Sequence, residues 1–510
     1  MKSLFKTVAL ITIFSFLTRI SGFIFRMILS RQVGAEGVGL YQVAFSVFMV
    51  LLTVISSGMP LIISRLSSSY MARREKGKEK SLITTALIYG LVLSIVLCGV
   101  VLVFKRVFAG LFTESRCIEI LIVLLPSLVF SSVYCVLRGA MWGKNNYFAL
   151  CVTEFYEQVV RIVLGVLFVS TSFSALENAF NLGWTMSIAC LASMMLVIVC
   201  FFFYGGKLGR FKREEFVPLV KQSTPITVMR VIGSLVQPLI AFIVPNRLVA
   251  IGYTNSQALA MFGVAVGMTM PLLYVPSSII GSLSTALVPD LSKALTQNDL
   301  QHIEKRIKTS IFFSLFISAL FVPCFLGMGE LAGEVLYDNV LSGSLLVSSA
   351  WVLIPIGLTN ITSAILNSLG YEKRSFVNFV AGGAAMFACL WFLPSLFGIN
   401  AFIYALGANF TITSVLNLAL LKKKTKVKLN ILPSLGKIIL LAIPSSALTG
   451  FVTGICGHFL PKLITLLLGG AVSVGSFVLL AGAFNMIDIK AFFVLATDRL
   501  KPKKVKVKNV

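Results

Sequence analysis

Fourteen mostly apolar segments alternate with shorter polar stretches along this chain, and each segment is long enough to cross a membrane. The hydrocarbon core of a bilayer requires about 20 consecutive apolar residues in helical conformation. The segments lie at 7–30, 38–63, 82–104, 118–142, 150–172, 179–203, 219–245, 257–287, 309–329, 344–369, 376–397, 399–421, 433–456 and 462–484. The pattern predicts an all-α membrane protein with about 14 transmembrane helices.

Positive charge is distributed unevenly between the two sides of these segments. Although 57% of the residues are hydrophobic and only 12% are charged, the net charge is +25. With the N-terminus inside, 32 of the 44 Lys and Arg residues fall on the cytoplasmic side and six fall on the other side. Because Lys and Arg in short loops are retained in the cytoplasm, we expect both termini to be cytoplasmic.

Short motifs recur in the same order in the two halves of the chain. Arg19-Ile-Ser-Gly22 in the first segment is echoed by Arg230-Val-Ile-Gly233 in the seventh. Parallel repeats are common in transporters and normally enclose a central cleft, so we expect two six-helix lobes and two additional C-terminal helices. The predicted divisions are 1–205 (N-lobe), 206–218 (cytoplasmic inter-lobe loop), 219–421 (C-lobe), 422–485 (additional helices) and 486–510 (basic cytoplasmic tail).

Three arginines at membrane depth are candidates for substrate binding. Arg19 and Arg26 lie seven residues apart on one face of the first helix, and Arg230 is the repeat-related arginine of the seventh. A charge in the bilayer is costly and usually faces a bundle interior or a wet cavity. These arginines therefore predict a cationic cavity for a phosphate or pyrophosphate, which the guanidinium fork suits. The alternative is that Arg26 and Arg230 extend to the membrane surfaces.

A second charged group is predicted where the fourth and fifth helices meet. Glu154, Glu157 and Arg161 follow one another at helical spacing, and the short turn between the helices places Arg138 at about the depth of Glu154. We interpret the group as a structural ion-pair network. The alternative is a gating or ion-coupling network in which Glu154 exchanges partners or takes a proton.

Asn360 and Asn367, on the tenth helix, are candidate sugar contacts, although such residues more often form hydrogen bonds between membrane helices. The lysine runs at 422–428 and 501–508 predict contact with anionic lipids. No nucleic-acid-binding module accompanies them.

The nine cysteines contain no CxxC pair, and only two histidines are present. We therefore expect no metal, cofactor or catalytic site, and no enzyme activity.

Several motifs together resemble a known family, the polysaccharide biosynthesis and export proteins of the multidrug/oligosaccharidyl-lipid/polysaccharide exporter superfamily. The likeness is nearest to the stage V sporulation B group and more distant to the lipid II flippase family. The motifs are Phe16-Leu-Thr-Arg19-Ile-Ser-Gly22-Phe-Ile-Phe-Arg26, Gly34-Ala-Glu-Gly37-Val-Gly39-Leu-Tyr41-Gln, Gly58-Met-Pro60, Arg138-Gly139 and Trp142-Gly143.

This resemblance implies two six-helix lobes arranged as a V in the cytoplasmic membrane of a bacterium. It also implies translocation of an undecaprenyl-pyrophosphate-linked sugar for the cell wall, the spore cortex or another polysaccharide. In the lipid II flippases, arginines of the first helix line a cationic cavity, which corresponds to Arg19 and Arg26 here. Two alternatives stay open. One is a multidrug antiporter of the same fold, coupled to H⁺ or Na⁺, and the other is a membrane scaffold that recruits wall-synthesis proteins without transporting anything.

Cysteine labelling tests the predicted topology. In a background without the native cysteines, single cysteines in 64–81, 204–222, 289–308 and the C-terminus should react only with reagents that reach the cytoplasm, because these segments carry most of the positive charge. A cysteine within 330–343 should react from outside. The opposite accessibility of 204–222 and 330–343 would invert the topology.

Overall fold

The computed structural model describes residues 2–297, 299–425, 427 and 431–484. Every regular element in these ranges is helical, so the prediction of an all-α protein is confirmed. The predicted basic tail, 486–510, lies outside the described residues.

The described helices follow one another with short connections. They are α1 (Lys2–Ser56), α2 (Met59–Ala72), α3 (Lys76–Val103), α4 (Lys105–Leu111), α5 (Cys117–Gly143), α6 (Tyr147–Phe168), α7 (Ala175–Phe203), α8 (Arg213–Ser234), α9 (Val236–Ala250), α10 (Asn255–Phe262), a π-helix (Gly263–Thr269), α11 (Met270–Leu273), α12 (Val275–Thr296), α13 (Leu300–Tyr337), α14 (Val340–Ser349), a 3-10 helix (Ala350–Val352), α15 (Leu353–Ser368), α16 (Glu372–Phe392), α17 (Pro394–Phe397), α18 (Asn400–Thr425), α19 (Ile431–Phe459) and α20 (Lys462–Ala483).

Twelve helical segments of the described chain are long and apolar enough to cross a membrane. Two features account for the difference between these 12 segments and the 14 spans predicted from the sequence. The first two predicted spans fall within one continuous segment, Ile13–Ala72. The fifth predicted span coincides with α6, where Glu154, Glu157 and Arg161 reduce the apolar character of the helix. By length and composition, the number of membrane spans thus lies between 12 and 14.

Helix α1 is too long to be one straight span. Its 55 residues correspond to about 80 Å of helix, whereas the bilayer core is about 30 Å thick. The helix breaks at Gly34, whose φ of 76° and ψ of 169° suit glycine alone. Near this corner Glu36 forms an ion pair with Arg116, which precedes α5 (Nη2 to Oε1, 3.7 Å). α1 is therefore long enough for the first two predicted spans, with the break at Gly34 between them.

The helices group into two compact units. Unit 1 contains residues 2–271 and 390–399, and unit 2 contains the other described residues. Unit 1 thus includes α8, α9, α10 and the π-helix, which the sequence repeat assigns to the C-lobe. The grouping follows packing, whereas the predicted lobes follow the repeat. The lobe boundaries stay a prediction.

Small residues bring α1 close to its neighbours in unit 1. A Cβ added at Gly39 would overlap the carbonyl oxygen of Leu259 on α10, and a Cβ added at Gly263 would overlap the carbonyl oxygen of Ala35. Membrane helices rely on such close approach because lipid provides no hydrophobic force to press them together. The glycine-rich start of the second half of α1 is therefore the surface on which α10 and the π-helix pack.

Unit 2 is built around α13, against which α14, α15, α19 and α20 pack. The backbone of α13 departs from helical geometry at Met328 (φ −141°), after Pro323. Thr453 of α19 donates a hydrogen bond to the carbonyl oxygen of Gly327 at 3.3 Å. The two C-terminal helices, α19 and α20, thus pack directly on α13, which the sequence prediction assigns to the C-lobe.

A pair of substitutions tests the packing of α1 on α10. Gly39→Ala should lower the apparent unfolding temperature and the amount of folded protein, because backbone must move to admit the new methyl group. Overpacking of this kind costs about 1–3 kcal/mol. Gly99→Ala on α3 is the matched control, since no atom lies within 4 Å of a Cβ there. Equal stability of both variants would show that α1 and α10 do not approach as described.

Candidate functional site

A polar cavity of about 170 Å³ lies inside unit 1. Both halves of α1 contribute to its wall, together with α6, α7 and the π-helix. Its lining residues are Gly22, Phe25, Arg26, Leu29, Ser30, Val38, Tyr41, Gln42, Phe45, Gln158, Arg161, Leu182, Thr185, Met186 and Gly267. We call it the arginine cavity.

The chain forms this cavity by folding α1 back on itself and by packing α6 closely against it. The break at Gly34 allows Arg26 and Tyr41, on the two halves of α1, to line the same space. A Cβ added at Gly165 of α6 would overlap the Phe25 ring, so this glycine permits the close approach. One helical face of α6 then presents Gln158 and Arg161 to α1.

The cavity has a positive lining. Arg26 and Arg161 both contribute to it, and no Asp or Glu is among the lining residues. Arg161 forms an ion pair with Glu157, one turn earlier on α6, in the acid-first order that favours such pairs. Arg26 has no acidic side chain within ion-pair distance among the described residues. The site therefore has hydrogen-bond donors and net positive charge, which suit an anion.

The other predicted ion pair is also present. Arg138 of α5 pairs with Glu154 of α6, and its guanidinium carbon lies 5.6 Å from the centre of the Trp142 ring. Both carboxylates of α6 are thus engaged by arginines. A role of the four charged residues in gating or ion coupling stays a prediction.

Arg19 and Arg230 are not in the arginine cavity. Both side chains are exposed in unit 1, Arg19 on the first half of α1 and Arg230 on α8. Within the described ranges, no acidic side chain lies within ion-pair distance of either one. Of the three arginines predicted to bind substrate, the structure therefore places only Arg26 in this cavity, and it adds Arg161.

In unit 2, the predicted sugar contacts lie on α15. Asn360 is half-buried and Asn367 is exposed. A fully buried asparagine nearby is Asn417 of α18, which donates to Ser363 at 3.0 Å and accepts from Asn378 of α16 at 2.9 Å. Asn417 thus links three helices, as hydrogen-bonding residues between membrane helices commonly do. Sugar contact by Asn360 and Asn367 stays a prediction.

Unit 2 also contains an apolar cavity of about 710 Å³ between α13, α15, α18 and α19. Its wall is almost wholly aliphatic, with Trp351 at one side. Lys422, in the last turn of α18, is the charged residue that lines it. The sequence predicts Lys422 as a lipid-facing anchor, and its place at the edge of an apolar cavity is compatible with that interpretation.

One buried ion pair was not predicted. Lys144, at the end of α5, contacts Glu79 of α3 at 2.8 Å, and Ser67 donates to the same carboxylate at 3.4 Å. The loop that precedes α8 packs nearby, where Ser81 donates to the carbonyl oxygen of Arg210 at 2.9 Å. The sequence shows these residues only as loop charges, because nothing in their spacing indicates that the three segments meet.

Sequence reasoning also missed the polar neighbours of the cavity arginines. Gln158 and Thr185 are buried in its wall, and Tyr41 and Gln42 are half-buried there. One signal was available, since Gln158 precedes Arg161 by three residues and so shares its helical face. No such spacing from another candidate residue identifies Thr185 on α7.

Comparisons with known proteins agree with this architecture. The family model described as "Polysaccharide biosynthesis protein" matches residues 4–295. Stage V sporulation protein B of Bacillus subtilis (strain 168) is 28% identical over 505 residues, which cover 95% of this chain and 94% of that protein.

Two solved structures are similar over most of their length. The lipid II flippase MurJ in its inward closed conformation has a TM-score of 0.69 and 14% identity, covering 93% of this chain and 98% of that one. The inward-facing multidrug resistance MATE family transporter of the MOP superfamily has a TM-score of 0.67 and 15% identity, covering 80% and 94%. These likenesses show a shared fold.

Proposed function

The chain belongs to the polysaccharide biosynthesis protein family, and we propose that it translocates an undecaprenyl-pyrophosphate-linked oligosaccharide across the bacterial cytoplasmic membrane. A peptidoglycan or spore-cortex precursor, or another polysaccharide unit, is the proposed cargo. The name of a solved neighbour, a lipid II flippase, supports this class of substrate, and the name of one relative, a stage V sporulation protein, supports a role in sporulation.

The observation that carries the proposal is the set of unpaired arginines in the predicted spans. Arg19, Arg26 and Arg230 have no carboxylate partner in the described part of the chain, whereas Arg138 and Arg161 do. A cation at membrane depth costs about 2.5–3.5 kcal/mol on insertion scales. Three unpaired guanidinium groups in one unit are therefore expected to have an anionic partner that arrives with the substrate.

In the proposed mechanism, the arginines neutralise the pyrophosphate while the lipid tail stays in the bilayer and the sugar crosses between the lobes. The forked guanidinium can donate two parallel hydrogen bonds to a phosphoryl group. Alternating access then exposes the substrate first to the cytoplasm and later to the other side. Asn360 and Asn367 are the proposed sugar contacts, and the lysines at the end of α18 contact anionic lipid.

A cation-coupled antiporter is the second candidate, because a multidrug transporter shares the fold. Such a protein needs acidic groups that are free to bind H⁺ or Na⁺. The two acids of α6 are paired with arginines, which makes them poor cation ligands in this state. A coupling cation for the flippase itself remains part of the proposal.

Variants of Arg19 test the proposed function. Purified wild-type protein should bind an undecaprenyl-pyrophosphate sugar in preference to organic cations. Arg19→Ala should abolish this binding and transport, and Arg19→Lys should lose most of both, because phosphate recognition uses the planar fork as well as the charge. An arginine that merely extends to the interface would tolerate Lys.

Arg106→Ala is the matched control for this test, since it removes an exposed arginine of α4 that lies in a predicted loop. It should bind and transport as the wild type does. All variants are compared at equal amounts of folded protein in the membrane. Full transport by Arg19→Ala would exclude Arg19 from the proposed phosphate-binding group.

A further inference from the structure

We propose that the arginine cavity is a binding subsite for a phosphoryl group, in which Arg161, Thr185 and Gln158 act together with Arg26. The inference rests on the proposed function for its biological source of phosphate, which is the head group of the lipid-linked substrate. The chemistry itself is that of any phosphoryl oxyanion. It assigns a binding role to α6 and α7, whereas the sequence interpreted Arg161 as part of a structural pair.

The size and lining of the cavity select a small anion. Its volume of about 170 Å³ is well below the range of about 300–1,000 Å³ that is usual for drug-sized ligands. Two guanidinium groups face it, and the amides of Gln42 and Gln158 and the hydroxyl of Tyr41 add further donors. With no carboxylate in the wall, a cation or an acceptor-rich neutral group would find fewer partners than an oxyanion.

Thr185 is the most specific indication. Its side chain is only 1% exposed and lines the cavity, yet its hydroxyl has no hydrogen-bond partner among the described residues. Buried hydroxyl groups are normally paired, because leaving one unpaired costs free energy. A phosphoryl oxygen in the cavity would accept a hydrogen bond from this hydroxyl.

Glu157 lowers the electrostatic cost of placing two arginines beside one cavity before the phosphoryl group binds. It pairs with Arg161 from outside the cavity wall and so offsets one of the two positive charges. The pair leaves other donors of Arg161 available, and its Nε has no partner within the described residues. Arg161 can therefore keep Glu157 and donate to a phosphoryl oxygen at the same time, since a guanidinium has five N–H groups.

The position of the cavity along the spans indicates at which stage of translocation the head group would occupy it. Arg26 lies near the end of the first predicted span, Tyr41 near the start of the second and Thr185 near the start of the sixth. On the predicted topology, all three positions belong to the half of the membrane away from the cytoplasm. The subsite would then hold the head group late in translocation, shortly before release.

The test measures phosphate-dependent stabilisation of the full-length protein in lipid nanodiscs. Inorganic phosphate, inorganic pyrophosphate and undecaprenyl pyrophosphate are titrated separately, and the apparent affinity is taken from the shift in unfolding temperature. Chloride at matched ionic strength is the reference. Wild-type protein should be stabilised by the phosphoryl ligands well beyond the effect of chloride.

Thr185→Val separates binding from packing. It removes a hydroxyl that has no hydrogen-bond partner in the described ranges, so the ligand-free protein should be as stable as the wild type or more so. The same variant should lose about threefold to tenfold in phosphoryl affinity, as expected for one lost hydrogen bond. The matched control is Thr153→Val on α6, because the Thr153 hydroxyl already has Tyr134 and the Leu150 carbonyl as partners. The control should lose stability and keep its affinity.

Arg161→Gln should lose more than about tenfold in affinity, since a charge-assisted bond is lost. This variant leaves Glu157 without its partner and can fail to fold. The double variant Glu157→Gln with Arg161→Gln removes both charges, and it should restore the amount of folded protein without restoring affinity. Unchanged phosphoryl affinity in Thr185→Val and in the double variant would overturn the subsite.

Comparison of the three ligands tests the subsite and the proposed function separately. Tighter binding of undecaprenyl pyrophosphate than of inorganic pyrophosphate, lost in the same variants, supports both. Binding of the inorganic ions alone supports the subsite with free phosphate as its source, and contradicts the lipid-linked substrate. Absence of stabilisation by every phosphoryl ligand in wild-type protein overturns the subsite.

Discussion

The cost of placing a guanidinium group in hydrocarbon governs the arrangement of unit 1. Five arginines, Arg19, Arg26, Arg138, Arg161 and Arg230, lie in its predicted spans, and each costs about 2.5–3.5 kcal/mol on insertion scales. The structure offsets two of them with the carboxylates of α6 and leaves the other three without an acidic partner in the described chain. The arginines in ion pairs and the arginines proposed to bind substrate thus lie in one unit, and in the proposal Arg161 belongs to both groups.

Close helix packing places two of these arginines around one cavity. Glycines let α10 and the π-helix approach the second half of α1, and Gly165 lets α6 approach the first half. Because α1 breaks at Gly34, both halves enclose the same space, and Arg26 lines a cavity with residues more than a hundred positions away.

Much of this architecture could be predicted from the sequence, because membrane helices are specified by local composition. The ion pair between Glu157 and Arg161 follows from helical spacing, and the one between Arg138 and Glu154 follows from reflection across a short turn. The meeting of Arg26 with Arg161 could not be predicted, since it depends on the register between two helices. The Thr185 hydroxyl, which finds no partner in the described part of the chain, likewise depends on the packing of α7, and the spacing of polar residues does not indicate it.

The central claim is that this chain moves a pyrophosphate-linked sugar across the membrane. Its most direct test is transport by the purified protein in sealed proteoliposomes loaded with a labelled undecaprenyl-pyrophosphate oligosaccharide. An enzyme or reagent that cannot cross the bilayer then modifies only the sugar on the outer face. The account predicts that protein-containing vesicles expose their inner-leaflet pool over time, whereas protein-free vesicles expose only the outer pool. Equal exposure in both, under imposed H⁺ or Na⁺ gradients as well as without them, would contradict it.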